Sequence, residues 1–216
     1  MTKPSSYPTF TKVNRVHKRR RSSYAVNARF FDVWSHDMAY CLGMLWADGC
    51  LRHVKSRWFL TITSKDQDLI EYMKYSIGYS GPLYKVKKHK HTNLTITCID
   101  IASSLLRLGW DKSPKRKLPN VPDKFFARFA AGYIDGDGGI YRCRSSSKNW
   151  RGLRVLLTAH EPFLGQFVDR LVRITGCGPG YRKRKPGCWE QHWPMCDSMK
   201  ICRYIYSVAC FSLSRK

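Results

Sequence analysis

Two similar stretches organise this chain: Leu42-Gly43-Met44-Leu45-Trp46-Ala47-Asp48-Gly49 and, much later, Ala131-Gly132-Tyr133-Ile134-Asp135-Gly136-Asp137-Gly138. Each stretch places a glycine five residues before an aspartate and follows that aspartate with a second glycine. A glycine inside a helix costs about 1 kcal/mol relative to alanine, so its repetition at the same register needs a reason. We expect Gly43 and Gly132 to let two helix backbones approach closely, as small residues do where helices cross tightly.

Pairing of these two helices would bring two carboxylates together. Asp48 and Asp137 would emerge at one end of the pair, where their charges repel each other, so bound divalent cations best explain the arrangement. The backbone carbonyls of Ala47 and Gly136, in the last turn of each helix, are further candidate ligands. Mg²⁺ is the expected ion, because it is hard, octahedral and shared readily between carboxylate, phosphate and water; Mn²⁺ or Ca²⁺ would substitute for it.

The residues around each aspartate also mark the end of a helix. Gly49 and Gly138 suit the position just past a helix end, where a positive φ is favoured. An acidic residue in the last turn opposes the helix dipole. Ordinary helix termination therefore explains Asp48 and Asp137 poorly, and metal binding explains them better.

The two stretches resemble the signature of the LAGLIDADG homing endonucleases. The second copy, 129–138, matches closely, and the first is a looser variant in which Trp46 and Ala47 stand where the signature often has an acidic and a small residue. The resemblance covers about residues 30–216 and implies a single-chain enzyme with two motifs. It also implies a basic residue near the metals in each half, which the similarity of 106–113 and 212–216 to family segments assigns to Lys112 and Lys216.

The charge of the chain points to a polyanionic partner. Lysine and arginine number 39 against 15 aspartates and glutamates, a net charge of +24 that implies nucleic acid. No apolar run approaches the roughly 20 residues that span a bilayer, and no secretory signal core is present, so we expect neither a membrane protein nor a secreted one.

Cysteine usage indicates a reducing environment. The chain has 9 cysteines, an odd number without a Cys-x-x-Cys pair, which is typical of reduced thiols in a bacterial or phage cytoplasm or in an organelle. An alternative is a zinc site formed by Cys188, His192, Cys196 and Cys202, although this spacing matches no common pattern.

The order of elements repeats along the chain. Hydrophobic periodicity predicts helices over 35–47, 66–77, 101–108, 123–136, 162–174 and 198–210, and strands over 50–54, 58–63, 83–86, 94–99, 140–144, 153–158, 181–185 and 189–195. The run Gly81-Pro82-Leu83-Tyr84 recurs as Gly178-Pro179-Gly180-Tyr181, in step with the duplicated helix motif. The polar run 145–151 is the predicted place for most of the extra residues of the second half.

We therefore predict an α+β protein made of two pseudo-symmetric αββαββα halves. A basic arm (1–30) precedes the first half (31–108), and a linker rich in proline and charge (109–122) leads to the second half (123–216). The arm is best explained as a flexible DNA-binding segment; a nuclear-import-like run and an organellar transit peptide are alternatives. The two motif helices would pack centrally, and each half would contribute one antiparallel sheet to a DNA-binding saddle.

The free face of the two sheets should carry the DNA contacts, because side chains that alternate along strands can follow base edges in a major groove. Basic and hydroxyl residues on the strands and hairpins are the candidates: Arg52, Lys55, Arg57, Thr61, Lys85, Lys87, Lys88, Thr95, Thr97, Arg142, Arg144, Arg154, Arg182, Lys183, Arg184 and Lys185.

Motif, charge and duplication together predict a monomeric, metal-dependent endonuclease of the intron-homing type, which cuts both strands of a long, specific duplex site. The catalytic candidates are Asp48, Asp137, Lys112 and Lys216. The alternative is a cleavage-inactive relative that binds nucleic acid, either as an RNA maturase on intron RNA or as a DNA-binding regulator. The presence of both aspartates favours the enzyme. An endonuclease domain cut from an intein is disfavoured, since we see no flanking splicing segments and the chain starts with Met1.

Overall fold

The computed structural model describes residues 24–86, 91–111, 117–144 and 151–208, together with 211 and 213. The first half runs α1 (His36–Asp48), β1 (Cys50–Val54), β2 (Arg57–Ser64), α2 (Gln67–Ser76), β3 (Tyr84–Val86), β4 (His91–Ile96) and α3 (Ile99–Arg107). The second half runs α4 (Asp123–Asp137), β5 (Gly138–Arg144), β6 (Arg151–Ala159), α5 (Glu161–Thr175), β7 (Tyr181–Lys185), β8 (Cys188–His192) and α6 (Met195–Ile205). The predicted α+β class and the αββαββα order of each half are confirmed.

The strands form two separate four-stranded sheets with the same internal order. The first sheet has the order β1-β2-β4-β3 and the second β5-β6-β8-β7, and every neighbouring pair is antiparallel. Because the order of strands is identical in both halves, the duplication read from the sequence is also a duplication of topology.

Helices cover one face of each sheet and leave the other face, here called the uncovered face, open. In β4, Thr92, Leu94 and Ile96 are buried while the residues between them are partly exposed. Helices α2 and α3 pack against this buried side. The hydrophobic core therefore lies between helices and sheets, and burial of its apolar surface is the main stabilising contribution.

The two sheets are joined by the packing of α1 against α4. A Cβ added at Gly43 would collide with the carbonyl oxygen of Phe129, and one added at Gly132 would collide with the carbonyl oxygen of Tyr40. Only glycine fits at these two positions, because the obstacle in each case is the backbone of the opposite helix. The close helix crossing that the glycines indicated is present.

A buried polar link also crosses this seam. The Tyr40 hydroxyl donates to Asp135 Oδ2 at 2.7 Å, and the Arg128 guanidinium lies 4.7 Å from the centre of the Tyr40 ring. Burial, reinforced by the charge of Asp135, raises the pKa of Tyr40 well above its usual range, so the hydroxyl stays a donor. Arg128 also donates to the carbonyl of Phe211 at 2.9 Å, which ties the C-terminal segment to α4.

The start of the described chain belongs with the first half. The Asn27 N–H donates to the Ile77 carbonyl at 3.1 Å, and the Ser80 N–H donates to the Ala25 carbonyl at 2.9 Å. Phe30 is buried. The structure thus packs 24–30, which the sequence assigned to the basic arm, against the end of α2; the rest of the arm lies outside the described residues.

Several predicted boundaries differ from the structure for identifiable reasons. Strand β4 spans His91–Ile96 rather than 94–99, because its polar first residues pair with β3 while Cys98 is already the residue that precedes α3. Helix α6 spans Met195–Ile205 rather than 198–210. Pro194 stands just before it and cannot donate to a sheet ladder, so β8 ends earlier and α6 begins earlier than predicted.

The expected positive φ at the glycines that follow the aspartates is wrong. Gly49 has φ −75° and Gly138 has φ −114°, both extended. Glycine is required for space instead, since a Cβ at Gly49 would meet the Leu45 carbonyl and one at Gly138 would meet Ile134 and the Leu156 carbonyl. The Ser35 side chain caps α1 by accepting from the Met38 N–H at 3.0 Å.

We expect Gly132→Val to destabilise the protein by about 2–3 kcal/mol, because the added atoms meet backbone rather than a side chain that can move. The matched control is Gly165→Ala on α5, where a Cβ meets nothing within 4 Å and helix propensity predicts a small gain. Chemical denaturation of both variants measures the difference. A Gly132→Val protein that unfolds like the wild type would show that the seam tolerates more separation than the geometry indicates.

Candidate active site and nucleic-acid interface

The two motif aspartates lie at the same end of the helix seam. Asp48 is the last residue of α1 and Asp137 the last of α4. Asp48 Oδ2 is 3.3 Å from the point where a Gly136 Cβ would sit, and the same Cβ would collide with the side chain of Ala47. The carboxylate of Asp48 therefore reaches across to Gly136, the residue before Asp137 in the last turn of the other motif helix.

The surroundings of the two aspartates differ. Asp48 is exposed, and Asp137 is partly exposed at the edge of a pocket of about 210 Å³. Aromatic, small and polar residues from both halves line this pocket: Trp46, Ala47, Tyr133, Asp137, Thr158, Ala159, His160, Phe163 and Cys188. His160 was not among the residues that the sequence singled out, because it belongs to no motif and only the fold brings it beside Asp137.

The donor atoms at the seam fit a hard divalent cation. Among the described residues no three histidine, cysteine, aspartate or glutamate side chains come together as a metal site. Two carboxylates, supplemented by the carbonyls of Ala47 and Gly136, are an incomplete set for an octahedral ion. Mg²⁺ commonly completes such a set with water and substrate phosphate oxygens, so the residues present fit an ion that is shared with a phosphate.

The zinc alternative is not supported. Cys188, His192, Cys196 and Cys202 are all described, and they do not form a metal-binding cluster. The cysteines in the described part of the chain are free thiols. Burial raises the pKa of Cys202 to about 11, which makes it a poor metal ligand at neutral pH.

On the first sheet, strand pairing assigns most candidate contacts to the uncovered face. Thr61 pairs with Thr95, their hydroxyl oxygens 3.3 Å apart, and Arg52 pairs with Phe59 on the same face. Arg57, the first residue of β2, lies on this face as well. Lys85 differs, because it pairs with the buried Thr92 and so lies on the helix side of the sheet, at its edge strand.

Two further first-half candidates lie in connections. Lys55 occupies the β1–β2 turn with φ 55°, and Thr97 follows β4 directly. Lys87 and Lys88, like Lys112 and Lys216, lie outside the described residues, and their roles stay predictions.

On the second sheet the same reasoning divides the basic residues into two groups. Arg154 pairs with Tyr141 and Lys183 with Glu190, and these pairs lie on the uncovered face. Lys185 shares that face and contacts Glu190 at 2.7 Å. This hydrogen bond lowers the pKa of the Glu190 carboxyl and raises the pKa of the Lys185 ammonium.

Arg142, Arg182 and Arg184 alternate with the first group and lie on the helix side. Arg142 pairs with Leu153, and Arg184 with Trp189. The Arg182 guanidinium donates to Gln191 at 3.1 Å and pairs with Glu161, so it fastens β7 to α5. Arg144 ends β5 opposite Arg151. Contact between these arginines and DNA stays a prediction.

The structure adds aromatic residues to the uncovered face. Tyr84 is 53% exposed and Tyr181 is 55% exposed, and each is the first residue of the edge strand in its half. They are the tyrosines of the repeated Gly-Pro-x-Tyr run. Tyr181 stacks on His192 with ring centres 4.9 Å apart. The repeat was visible in the sequence, but the exposure of the rings was not.

Comparison with known proteins identifies the fold. No family model matches the sequence, and no curated protein matches it. The LAGLIDADG meganuclease I-AabMI, solved bound to uncleaved DNA, is similar with a TM-score of 0.56 and 16% sequence identity over 80% of this chain and 84% of that one. The meganuclease I-SmaMI, solved with uncleavable DNA, has a TM-score of 0.57 and 14% identity over 82% and 86%.

A third structure, the LAGLIDADG homing endonuclease I-GzeII in complex with its DNA target, has a TM-score of 0.53 and 14% identity over 78% of this chain and 81% of that one. Identities this low establish shared architecture rather than shared activity. The resemblance seen in the two motifs is therefore confirmed at the level of the fold, which is that of the single-chain, double-motif LAGLIDADG homing endonucleases.

We expect the Arg52→Ala and Arg154→Ala variants to bind duplex DNA more weakly and to reduce the slope of log affinity against log salt by about one each, the change for one lost phosphate contact. Arg203→Ala is the matched control, because Arg203 is exposed on α6, which covers the opposite side of the second sheet. Fluorescence anisotropy over a salt series measures the slopes. If the salt dependence of affinity has the same slope in all three variants, DNA does not bind on the uncovered faces of the sheets.

Proposed function

We propose that this chain, which has the LAGLIDADG homing endonuclease fold, is a site-specific DNA endonuclease that hydrolyses one phosphodiester in each strand of a duplex with a divalent metal. One observation carries the proposal: the seam between α1 and α4 ends in two carboxylates, contributed by Asp48 and Asp137, between two sheets whose uncovered faces carry arginine and lysine. The similar folds that were solved with DNA support the choice of DNA as the substrate.

The duplication suits a substrate with two strands. Each half supplies one sheet and one aspartate, so one chain offers two half-sites and two carboxylates without a partner chain. A duplex has approximate two-fold symmetry between its strands, and a protein with two-fold pseudosymmetry can match it half by half. The functional unit is accordingly a monomer on one duplex.

The negative charges of the two aspartates favour a bound cation at the end of the seam. Two like charges lie together at the C-terminal ends of two helices, where the helix dipoles also disfavour negative charge. A bound Mg²⁺ ion would relieve this repulsion and would supply activation of water and neutralisation of charge at the scissile phosphate. The side chains of Asp48 and Asp137 hold and orient that centre, and the basic residues of the sheets fix the register of the duplex.

Accessory basic groups complete the proposal. The resemblance in sequence assigns them to Lys112 and Lys216, which would stabilise negative charge as it develops on the phosphate. A cleavage-inactive binder, whether a maturase on intron RNA or a regulator on DNA, would use the same basic faces without the carboxylates. Retention of both aspartates at the seam favours the enzyme.

The stoichiometry follows from the fold. We expect one chain per duplex, with affinity that falls steeply as salt rises, because many phosphate contacts release counterions. Native mass spectrometry of the complex with a target-containing duplex measures the ratio. Two chains on a single site would contradict the assignment of one half-site to each half of the chain.

The aspartates distinguish an enzyme from a binder. A randomised duplex library incubated with the protein and Mg²⁺, followed by sequencing of the cut ends, first identifies the target. We then expect Asp137→Asn and Asp48→Asn each to slow cleavage by about 100-fold or more while DNA affinity stays within a few-fold, because the amide keeps the shape of the carboxylate and removes its charge.

The control for the change in charge is Asp169→Asn, at an exposed position on α5. It should cut like the wild type. If both motif variants linearise a target plasmid at the wild-type rate, the active site is elsewhere. If the wild type binds DNA but cuts nothing in the library, the chain is a binder.

A further inference from the structure

We propose that His160 is a phosphate-contacting residue of the second half: its imidazole donates a hydrogen bond to a non-bridging oxygen of the scissile phosphate that Asp137 faces. The proposal rests on the endonuclease function argued above. It starts from the pocket of about 210 Å³ in which His160 and Asp137 both take part.

The fold brings His160 to Asp137 through the β5–β6 ladder. Gly138 pairs with Leu157 at the end of that ladder. Asp137 precedes Gly138, and His160 follows Leu157 by three residues. Because β5 and β6 run antiparallel, both residues lie just beyond the same end of this strand pair. His160 stands between β6 and α5, a junction that is fixed at both ends by regular structure.

The imidazole is not committed to holding the helix that begins beside it. His160 precedes α5 in an extended conformation, and its side chain does not cap the helix. The backbone carbonyl of His160 accepts from the Leu164 N–H at 3.0 Å instead. The adjacent carboxylate, Glu161, pairs with Arg182, which keeps that acidic group engaged with β7.

The walls of the pocket would strengthen such a hydrogen bond. Trp46, Tyr133 and Phe163 are at most 5% exposed, and they present ring surface to the pocket. The Trp46 indole N–H is already used, since it donates to the Lys117 carbonyl at 3.0 Å. Against such apolar ring surface a hydrogen bond to an anionic oxygen is electrostatically stronger than in bulk water.

The first half differs at the corresponding junction of strand and helix. Strand pairing makes Ile62 the counterpart of Leu157, and Lys65 follows Ile62 by three residues as His160 follows Leu157. The helices that follow are offset by one residue in this count, because Asp66 precedes α2 as His160 precedes α5, so the residue of α2 that corresponds to Phe163 is the buried Leu69. The position just before the helix is thus acidic in the first half and holds an imidazole in the second.

The two strands should therefore depend on different residues. In a duplex that carries the target and a different dye on each strand, His160→Ala should slow cleavage of one strand by at least about 10-fold and leave the other within about 2-fold. His160→Asn, which keeps an N–H donor, should recover part of the lost rate.

A second measurement does not depend on cleavage. Diethyl pyrocarbonate modifies accessible imidazoles, and peptide mass spectrometry reports the rate at each histidine. Addition of duplex DNA without metal should slow modification of His160 at least about 5-fold. His36, which begins α1 at the end opposite Asp48, should react at an unchanged rate and serves as the internal control.

The outcomes separate the two proposals. Equal slowing of both strands in His160→Ala, or no slowing of either, overturns the role of His160, as does an unprotected His160 in a wild-type complex that cuts DNA. If DNA protects His160 while the wild type cuts neither strand, the phosphate contact stands and the endonuclease function fails.

Discussion

The backbones of α1 and α4 approach so closely at Gly43 and Gly132 that neither position has room for a Cβ. The rest of the structure depends on this contact. Each sheet follows directly from the end of its motif helix, so the distance and angle of the helix crossing also set the relation between the two sheets. The same contact brings Asp48 and Asp137 to one end of the seam, where a slightly wider crossing would separate their carboxylates.

Polar groups inside the seam make the pair of helices asymmetric. Asp135, at the position where the first motif has Trp46, accepts a hydrogen bond from Tyr40 and is almost wholly buried. Breaking one partner of such a link leaves a buried polar group with fewer hydrogen bonds, which commonly costs about 1–3 kcal/mol. The hydrogen bond between Tyr40 and Asp135 holds α1 and α4 in one alignment along the seam. The two motif aspartates at the end of this seam have different surroundings. A duplicated fold here supports two sites that are similar in plan and different in detail.

The parts of the structure that local sequence determines were predictable. The glycine spacing predicted the seam, and hydrophobic periodicity predicted the order of all the elements. The faces of the basic residues were less accessible to prediction, because a strand register that shifts by one residue moves a side chain to the other face; Arg182 and Lys85 illustrate this. His160 could not be found from a motif, since its place beside Asp137 arises from the pairing of β5 with β6. Gly49 and Gly138 were expected to adopt a positive φ, whereas in the structure glycine is required there because a Cβ would collide with neighbouring backbone.

The helix seam brings the carboxylates of Asp48 and Asp137 to one end of the motif helices, where we propose that each binds metal at one scissile phosphate. The most direct test is the anomalous scattering of manganese in crystals of the full chain bound to its duplex. We expect manganese at coordination distance from the carboxylates of Asp48 and Asp137, with phosphate oxygens of the DNA in the same coordination spheres. Manganese bound elsewhere, with both carboxylates remote from metal and from phosphate, would contradict this proposal.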